Sequence, residues 1–211
     1  MGNMPDLINA SRDFVEQYME NYDSSHDYSH IKRVLSLAKH IEAKETQTAG
    51  CAIHYNSDLI TLAALLHDVG DRKYLKPGQN GSTMVLEFLL ARGASNLLAE
   101  NVQEIVNKVS YSNEIKDPAA VTKAITKYPE LAVVQDADRL DALGAVGLGR
   151  CFSFNACRSS HGGMDNAIEH IGDKLLHLQG MMKTQTGKEI AVERSQRIAT
   201  FRDWWLEESC I

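Results

Sequence analysis

Hydrophobic residues recur at helical spacing along almost the whole chain. Apolar positions at i, i+3, i+4 and i+7 predict helices over about residues 5–21 and 28–46. Asn56 and Ser57 are plausible caps for a third helix, which crosses a continuous apolar run and ends at Gly70. No segment alternates apolar and polar residues for long enough to build a sheet. The pattern therefore predicts an all-α protein.

The remainder of the chain shows the same periodicity. Ser82, Ser95 and Asp117 are typical of helix starts, and the last of them is followed by a proline that suits the first helical position. Beyond them we predict one longer helix over about 131–157 and an amphipathic last third over about 165–208. No linker-like stretch interrupts the chain, so we predict a single domain over 1–211.

Composition narrows the function classes. The 211 residues are 44% hydrophobic and 24% charged, which is ordinary for a globular protein, and the formal net charge is −6. An acidic chain is a poor candidate for sequence-independent nucleic-acid binding, which needs many cationic side chains. We predict neither a signal peptide nor a membrane span, and we expect a cytoplasmic protein whose cysteines are free thiols: Cys51, Cys151, Cys157 and Cys210.

Two segments place histidine where a metal ligand is plausible. His67 and Asp68 follow an apolar run and precede a glycine, and a polar pair at the end of a buried helix costs several kcal/mol unless something pairs with it. His30 enters an apolar helix three residues before Arg33, on the same face. Imidazole and carboxylate together suit borderline divalent ions, and an arginine beside them suits a bound phosphate. The other helical histidines read as surface residues: His40, His54, His170 and His177.

A third segment carries three acids within an otherwise apolar helix. Asp138 and Asp141 lie on the apolar stripe, whereas Asp136 points about 200° away from Asp138 at 100° per residue. Asp136 and Asp138 therefore do not serve one ion equally. Carboxylates on a core-facing stripe need a cation, and the residues alone leave both candidates open.

The order of these segments resembles the HD superfamily, in which a single His, a His-Asp pair and a later Asp bind a divalent ion within a helical bundle. The phrases HDYSHIKRV, LLHDVGDRKY, VVQDADRLDALGAVGLGRCF and HIGDKLLHLQGMMKTQTGKEIAVER resemble a bacterial subgroup of that superfamily. The resemblance implies a metal-binding core over about 26–150, with C-terminal helices over about 163–208 packed on it. It implies four metal ligands: His30, His67, Asp68 and Asp138, with Asp136 as the alternative to Asp138.

The resemblance also implies the chemistry. Asp71 or Asp68 would orient or deprotonate the attacking water, and the predicted substrate-binding cations are Arg33, Arg139, Lys174 and Lys183. The ion is expected to be Mn, Mg, Ni, Co or Fe, since ligand type alone does not choose among them. No glycine-rich phosphate loop is present in the sequence, so the phosphate would be bound by side chains and the ion.

Members of the subgroup are phosphohydrolases, and some cleave nucleoside triphosphates to the monophosphate and pyrophosphate. We therefore expect a phosphorylated small molecule, a nucleotide in the main hypothesis, as the partner, with a homodimer left open. A phosphomonoesterase acting on nucleotides is the first alternative. A non-catalytic metal or nucleotide sensor on the same fold is the second.

Overall fold

Helices account for the regular structure of the chain in a computed structural model that describes residues 3–20, 22–23, 25–48, 53–71, 75, 77–158 and 163–209. Within those residues there is no strand. The first half contains α1 (Met4–Tyr18), α2 (Tyr28–Gln47), α3 (Ser57–Leu66), α4 (Met84–Ala91), α5 (Asn96–Val109) and α6 (Tyr111–Lys116). The second half contains α7 (Pro118–Lys127), α8 (Glu130–Asp141), α9 (Gly144–Arg158), α10 (Asp165–Asp173), a 3-10 helix (Leu175–Met181) and α11 (Gln185–Ser209). The all-α prediction is confirmed.

Side-chain caps begin several helices where the sequence predicted them. The Asn56 side chain accepts from the backbone N–H groups of Asp58 and Leu59 at the start of α3. The Ser95 hydroxyl accepts from Leu98 N at the start of α5. The Asp117 carboxylate likewise caps α7. Each cap satisfies backbone donors that have no partner inside the helix.

The core is built around α3, which is buried on every side. All of its residues from Leu59 to Leu66 are buried. It packs against α1, α2, α5 and α8, and α2 also packs along α8. Because α2, α3 and α8 contact one another, residues at the ends of α3 and α8 and at the start of α2 can meet. The C-terminal helices cover the other side, where α11 contacts α8, α9 and the 3-10 helix.

The prediction of one helix over about 131–157 is wrong. The helix ends at Asp141, and Gly144 has a φ of +72°, in the left-handed region that favours glycine. A Cβ added to Gly144 would lie 3.2 Å from a side-chain carbon of Arg194. The chain therefore turns sharply between α8 and α9, which redirects every side chain of the second helix. The hydrophobic pattern also does not predict the short helix α6 or the 3-10 helix that interrupts the last third.

A buried carboxylate joins the C-terminal segment to α8. Asp136 is fully buried, and it accepts from the backbone N–H groups of Lys183 and Thr184 and from the Thr184 hydroxyl, at 2.7–3.0 Å. Burial raises the pKa of Asp136, against the opposing effect of these hydrogen bonds. Gly187 passes so close to this carboxylate that a Cβ there would collide with it. Asp136 thus anchors the start of α11.

None of the helices in the described residues is long and apolar enough to cross a bilayer.

Candidate metal centre

His30 lies in the first turn of α2, where the Asp27 side chain accepts from its backbone N–H and caps the helix. The imidazole is 1% exposed, and its Nδ1 lies 2.7 Å from Oδ2 of Asp141 at the end of α8. Asp141 also accepts two hydrogen bonds from Arg33, at 2.7 and 3.0 Å, and pairs with Arg150 at 3.1 Å. An ionised carboxylate accepts only, so Nδ1 of His30 carries the hydrogen and Nε2 of the neutral ring is available as a ligand.

His67 directly follows α3, and its Nδ1 lies 2.9 Å from the carbonyl oxygen of Ala64. A carbonyl also accepts only, so this ring has the same tautomer as His30. The two Nε2 atoms lie 3.2 Å apart. Two neutral imidazoles with their lone pairs facing each other at this distance need a cation or a proton between them.

Asp68 and Asp138 complete the cluster. Oδ2 of Asp68 lies 3.4 Å from Nε2 of His30 and 3.5 Å from Nε2 of His67. Oδ1 of Asp138 lies 3.5 and 3.8 Å from the same two nitrogens. Ligands about 2.1 Å from one ion and at right angles to each other lie about 3.0 Å apart, so these separations suit a shared divalent ion.

Two properties of the cluster fit a metal. Oδ2 of Asp68 is buried and has no hydrogen-bond partner within the described part of the chain, which is costly for a carboxylate oxygen without a cation. Burial alone would raise the pKa of Asp68, but the imidazoles of His67 and His30 hold this pKa well below its usual value. For His30, burial lowers the pKa and the carboxylates of Asp141 and Asp68 raise it, with a net rise. A proton and a divalent ion therefore compete for the same Nε2 lone pair.

The alternative ligand, Asp136, lies elsewhere. Its carboxylate is directed to Lys183 and Thr184, as described for the fold, whereas Asp138 approaches both imidazoles. Helical geometry explains the difference, since residues two apart on a helix project to opposite sides.

Three of the predicted substrate-binding cations pair with carboxylates. Arg33 and Arg139 are committed to carboxylates: Arg33 makes its bidentate pair with Asp141, and the buried Arg139 pairs with Glu114 at 2.5 Å and donates to Met181 O. Lys183 also pairs with Glu114, at 2.7 Å. For Glu114, burial would raise the pKa, but the hydrogen bonds to Lys183 and Arg139 lower it overall. The role of Arg33, Arg139 and Lys183 in phosphate binding stays a prediction.

A cavity of about 680 Å³ opens beside the cluster. His67, Asp68 and Asp138 form part of its wall, and so does Asp71, whose predicted role in activating water stays a prediction. The sides carry cationic and aromatic residues: Arg139, Arg150, Lys116, Lys174, Tyr111, Phe154, His26 and His170. The Lys174 ammonium also lies 4.9 Å from the Tyr111 ring centroid, so this predicted cation does reach the cavity.

Sequence reasoning missed several of these residues. The apolar stripe marks Asp141 as a buried acid, but it does not show that Asp141 supports His30. The sequence pattern does not single out Arg150 or Lys116, and it predicts a surface position for His170, which lines the cavity. Arg150, Lys116 and His170 carry no local signal of a place in the cavity, because that place depends on packing between distant helices.

Comparisons with known proteins agree with this geometry. The model of the HD domain family matches residues 27–143. The Bacillus subtilis protein YpgQ is 32% identical over 197 residues, covering 90% of this chain and 87% of YpgQ. The crystal structure of YpgQ in complex with ADP has a TM-score of 0.74 at 29% identity, covering 97% of this chain and 96% of that one. An HD-superfamily hydrolase from Bacillus thuringiensis has a TM-score of 0.70 at 27% identity, with 98% of each chain covered. The chain therefore belongs to the HD domain family, and it is a metal-dependent phosphohydrolase of the HD superfamily.

Proposed function

We propose that this enzyme hydrolyses nucleoside triphosphates to the monophosphate and pyrophosphate, using one divalent ion bound by His30, His67, Asp68 and Asp138. The observation that carries the proposal is the cavity beside this cluster. Its volume, about 680 Å³, lies in the range of small-molecule sites and is far larger than an inorganic phosphate needs. The existence of a YpgQ complex with ADP supports a nucleotide as the ligand, and the resemblance to the pyrophosphohydrolase subgroup supports the choice of the bond that is cleaved.

The ligand set leaves coordination positions for water and a phosphate oxygen on a six-coordinate ion. Bound there, the ion would lower the pKa of a water molecule and polarise the phosphoryl group. The protein supplies the rest. Asp71 lines the cavity three residues after Asp68, where its carboxylate can orient the attacking water or accept its proton. Lys174 lies on the cavity wall, where an ammonium group stabilises charge on phosphate oxygens.

The direct test is product analysis. Purified protein is incubated with each nucleoside triphosphate and with Mn²⁺, Mg²⁺, Ni²⁺, Co²⁺ or Fe²⁺, and phosphate and pyrophosphate are quantified separately. We expect pyrophosphate and the nucleoside monophosphate in equal amounts. Inorganic phosphate released from monophosphates would instead indicate a phosphomonoesterase. Tight nucleotide binding without turnover under every metal would indicate a sensor.

A matched pair of variants tests the ligand set. Asp138→Asn should lose both bound metal and activity, because it removes a charged ligand from the ion. Asp136→Asn changes an equivalent carboxylate two residues away, and it should lower the melting temperature while leaving the metal bound. Metal loss in Asp136→Asn together with metal retention in Asp138→Asn would reject the assignment.

A further inference from the structure

One face of α9 forms part of the cavity wall. Gly147, Arg150, Cys151 and Phe154 all line the cavity, and their spacing of i, i+3, i+4 and i+7 defines a single helical stripe. Gly147 lies so close to the carbonyl oxygen of Ala142 that a Cβ there would collide with it. The tight turn before α9 therefore sets the direction of the stripe and brings Arg150 back onto the end of α8.

The Arg150 guanidinium is held by two acceptors from different parts of the chain. Its Nε donates to the backbone oxygen of Ser25 at 2.7 Å, and its Nη1 lies 3.1 Å from Oδ2 of Asp141. The same Oδ2 contacts Nδ1 of His30. A single carboxylate oxygen thus separates Arg150 from a metal-ligating ring, and the orientation of the guanidinium is set before any substrate binds.

Arg150 and Arg33 share the single negative charge of Asp141, so the positive charge of Arg150 is only partly neutralised by the residues that contact it. Among the described residues, Asp141 is the one carboxylate that pairs with Arg150, and Asp141 already makes a bidentate pair with Arg33. The Arg150 side chain is only 13% exposed. A guanidinium has five N–H donors, and the two bonds to protein leave donors for the cavity that Arg150 lines. A largely buried cation in excess over its carboxylate favours an anion beside it.

We propose that Arg150 binds a phosphate oxygen of the substrate next to the metal centre. Guanidinium donors match phosphate oxygens in geometry and in charge, and a preset orientation reduces the entropy lost on binding. Arg33 also pairs with Asp141 but does not line the cavity, so this proposal assigns the phosphate contact to Arg150 in place of Arg33. The proposal rests on the phosphohydrolase activity of the family and not on the choice of a nucleoside triphosphate as substrate.

The test compares Arg150→Gln with Arg33→Gln. Each variant removes one arginine from Asp141, but only the first removes a cavity residue. Inorganic pyrophosphate is titrated calorimetrically into the Mn²⁺-saturated protein, with Mn²⁺ in excess over both. The same titration is repeated with the α,β-methylene analogue of ATP and with adenosine.

We expect Arg150→Gln to weaken pyrophosphate binding by about 10- to 100-fold, the loss typical of one charge-assisted hydrogen bond. Arg33→Gln should retain most of the affinity once the metal site is saturated, and adenosine should bind both variants as it binds the wild type. If Arg150→Gln does not fold, Arg150→Lys keeps the charge and should show a smaller loss in the same direction.

Equal losses in the two glutamine variants would overturn the proposal, since Arg150 would then act only through Asp141. Unchanged affinity in Arg150→Gln, or no binding of pyrophosphate to the wild type, would also overturn it. The outcome is separable from the proposed function: a protein that cleaves no nucleoside triphosphate but loses pyrophosphate affinity in Arg150→Gln would refute that function and leave the role of Arg150 standing.

Discussion

Asp141 contacts His30, one of the four proposed metal ligands, without being a proposed ligand itself, so Asp141→Asn should weaken metal binding. The carboxylate is 1% exposed and accepts from three groups: the His30 ring and the guanidinium groups of Arg33 and Arg150. The amide that replaces it keeps one oxygen acceptor and adds two donors. At least one of the three donor groups then loses its partner, and the orientation of the His30 ring is no longer determined.

The magnitude follows from burial and charge. Removal of a residue that orients a metal-ligating histidine typically costs 10- to 100-fold in metal affinity, and we expect a loss of about that size for Mn²⁺. Removing one partner of a buried ion pair costs about 3–5 kcal/mol, with the lower end expected here because Arg33 is 35% exposed and can be hydrated. For a chain of this length each kcal/mol corresponds to about 2–4 °C, so the melting temperature of the metal-free protein should fall by about 6–12 °C.

Equilibrium dialysis with Mn²⁺ measures the first quantity, and calorimetry of the chelated protein measures the second. Asp136→Asn is the matched control, since it alters a buried carboxylate on the same helix that does not contact His30. The control should lose stability but not metal affinity. If the folded Asp141→Asn protein binds Mn²⁺ with an affinity within twofold of wild type, Asp141 does not determine the orientation of His30.

Three further results are expected. Asp71→Asn should keep its fold and its bound metal but lose about 10²- to 10⁴-fold in turnover at saturating substrate, because the Asp71 carboxylate assists the attacking water. Full activity in this variant would leave Asp68 as the candidate for that role. Glu114→Gln should lower the melting temperature at pH 7 more than at pH 4. The pKa of Glu114 is lower in the folded protein, so its contribution to stability is present above the unfolded value and is lost as the pH falls through the folded pKa; an equal difference at both pH values would contradict this. Chelation should abolish activity, and adding Mn²⁺ at 100 times its Kd should restore activity and stabilise the fold by about 2.7 kcal/mol, seen as a rise in melting temperature that plain Na⁺ does not produce.

The sequence alone determined the helical class and many helix starts, because the interactions responsible are local. A cap such as Asn56 or Ser95 binds backbone groups two or three residues away, and an apolar stripe depends only on spacing along one helix. The sequence also indicates His30 and His67 as candidate metal ligands, since a polar side chain at either end of a buried helix needs a partner, wherever in the chain that partner lies.

Tertiary structure alone decided which groups meet. Helical geometry shows that Asp136 and Asp138 point to opposite sides of α8, but only packing shows that one side faces the imidazoles and the other faces the start of α11. The Asp141–His30 contact joins residues 111 positions apart, and the Arg150–Ser25 contact joins residues 125 positions apart. The second contact also depends on the left-handed turn at Gly144, beside which the Arg194 side chain packs. Contacts of this kind carry no local signal, because the free energy that determines them is released only when the distant helices pack together.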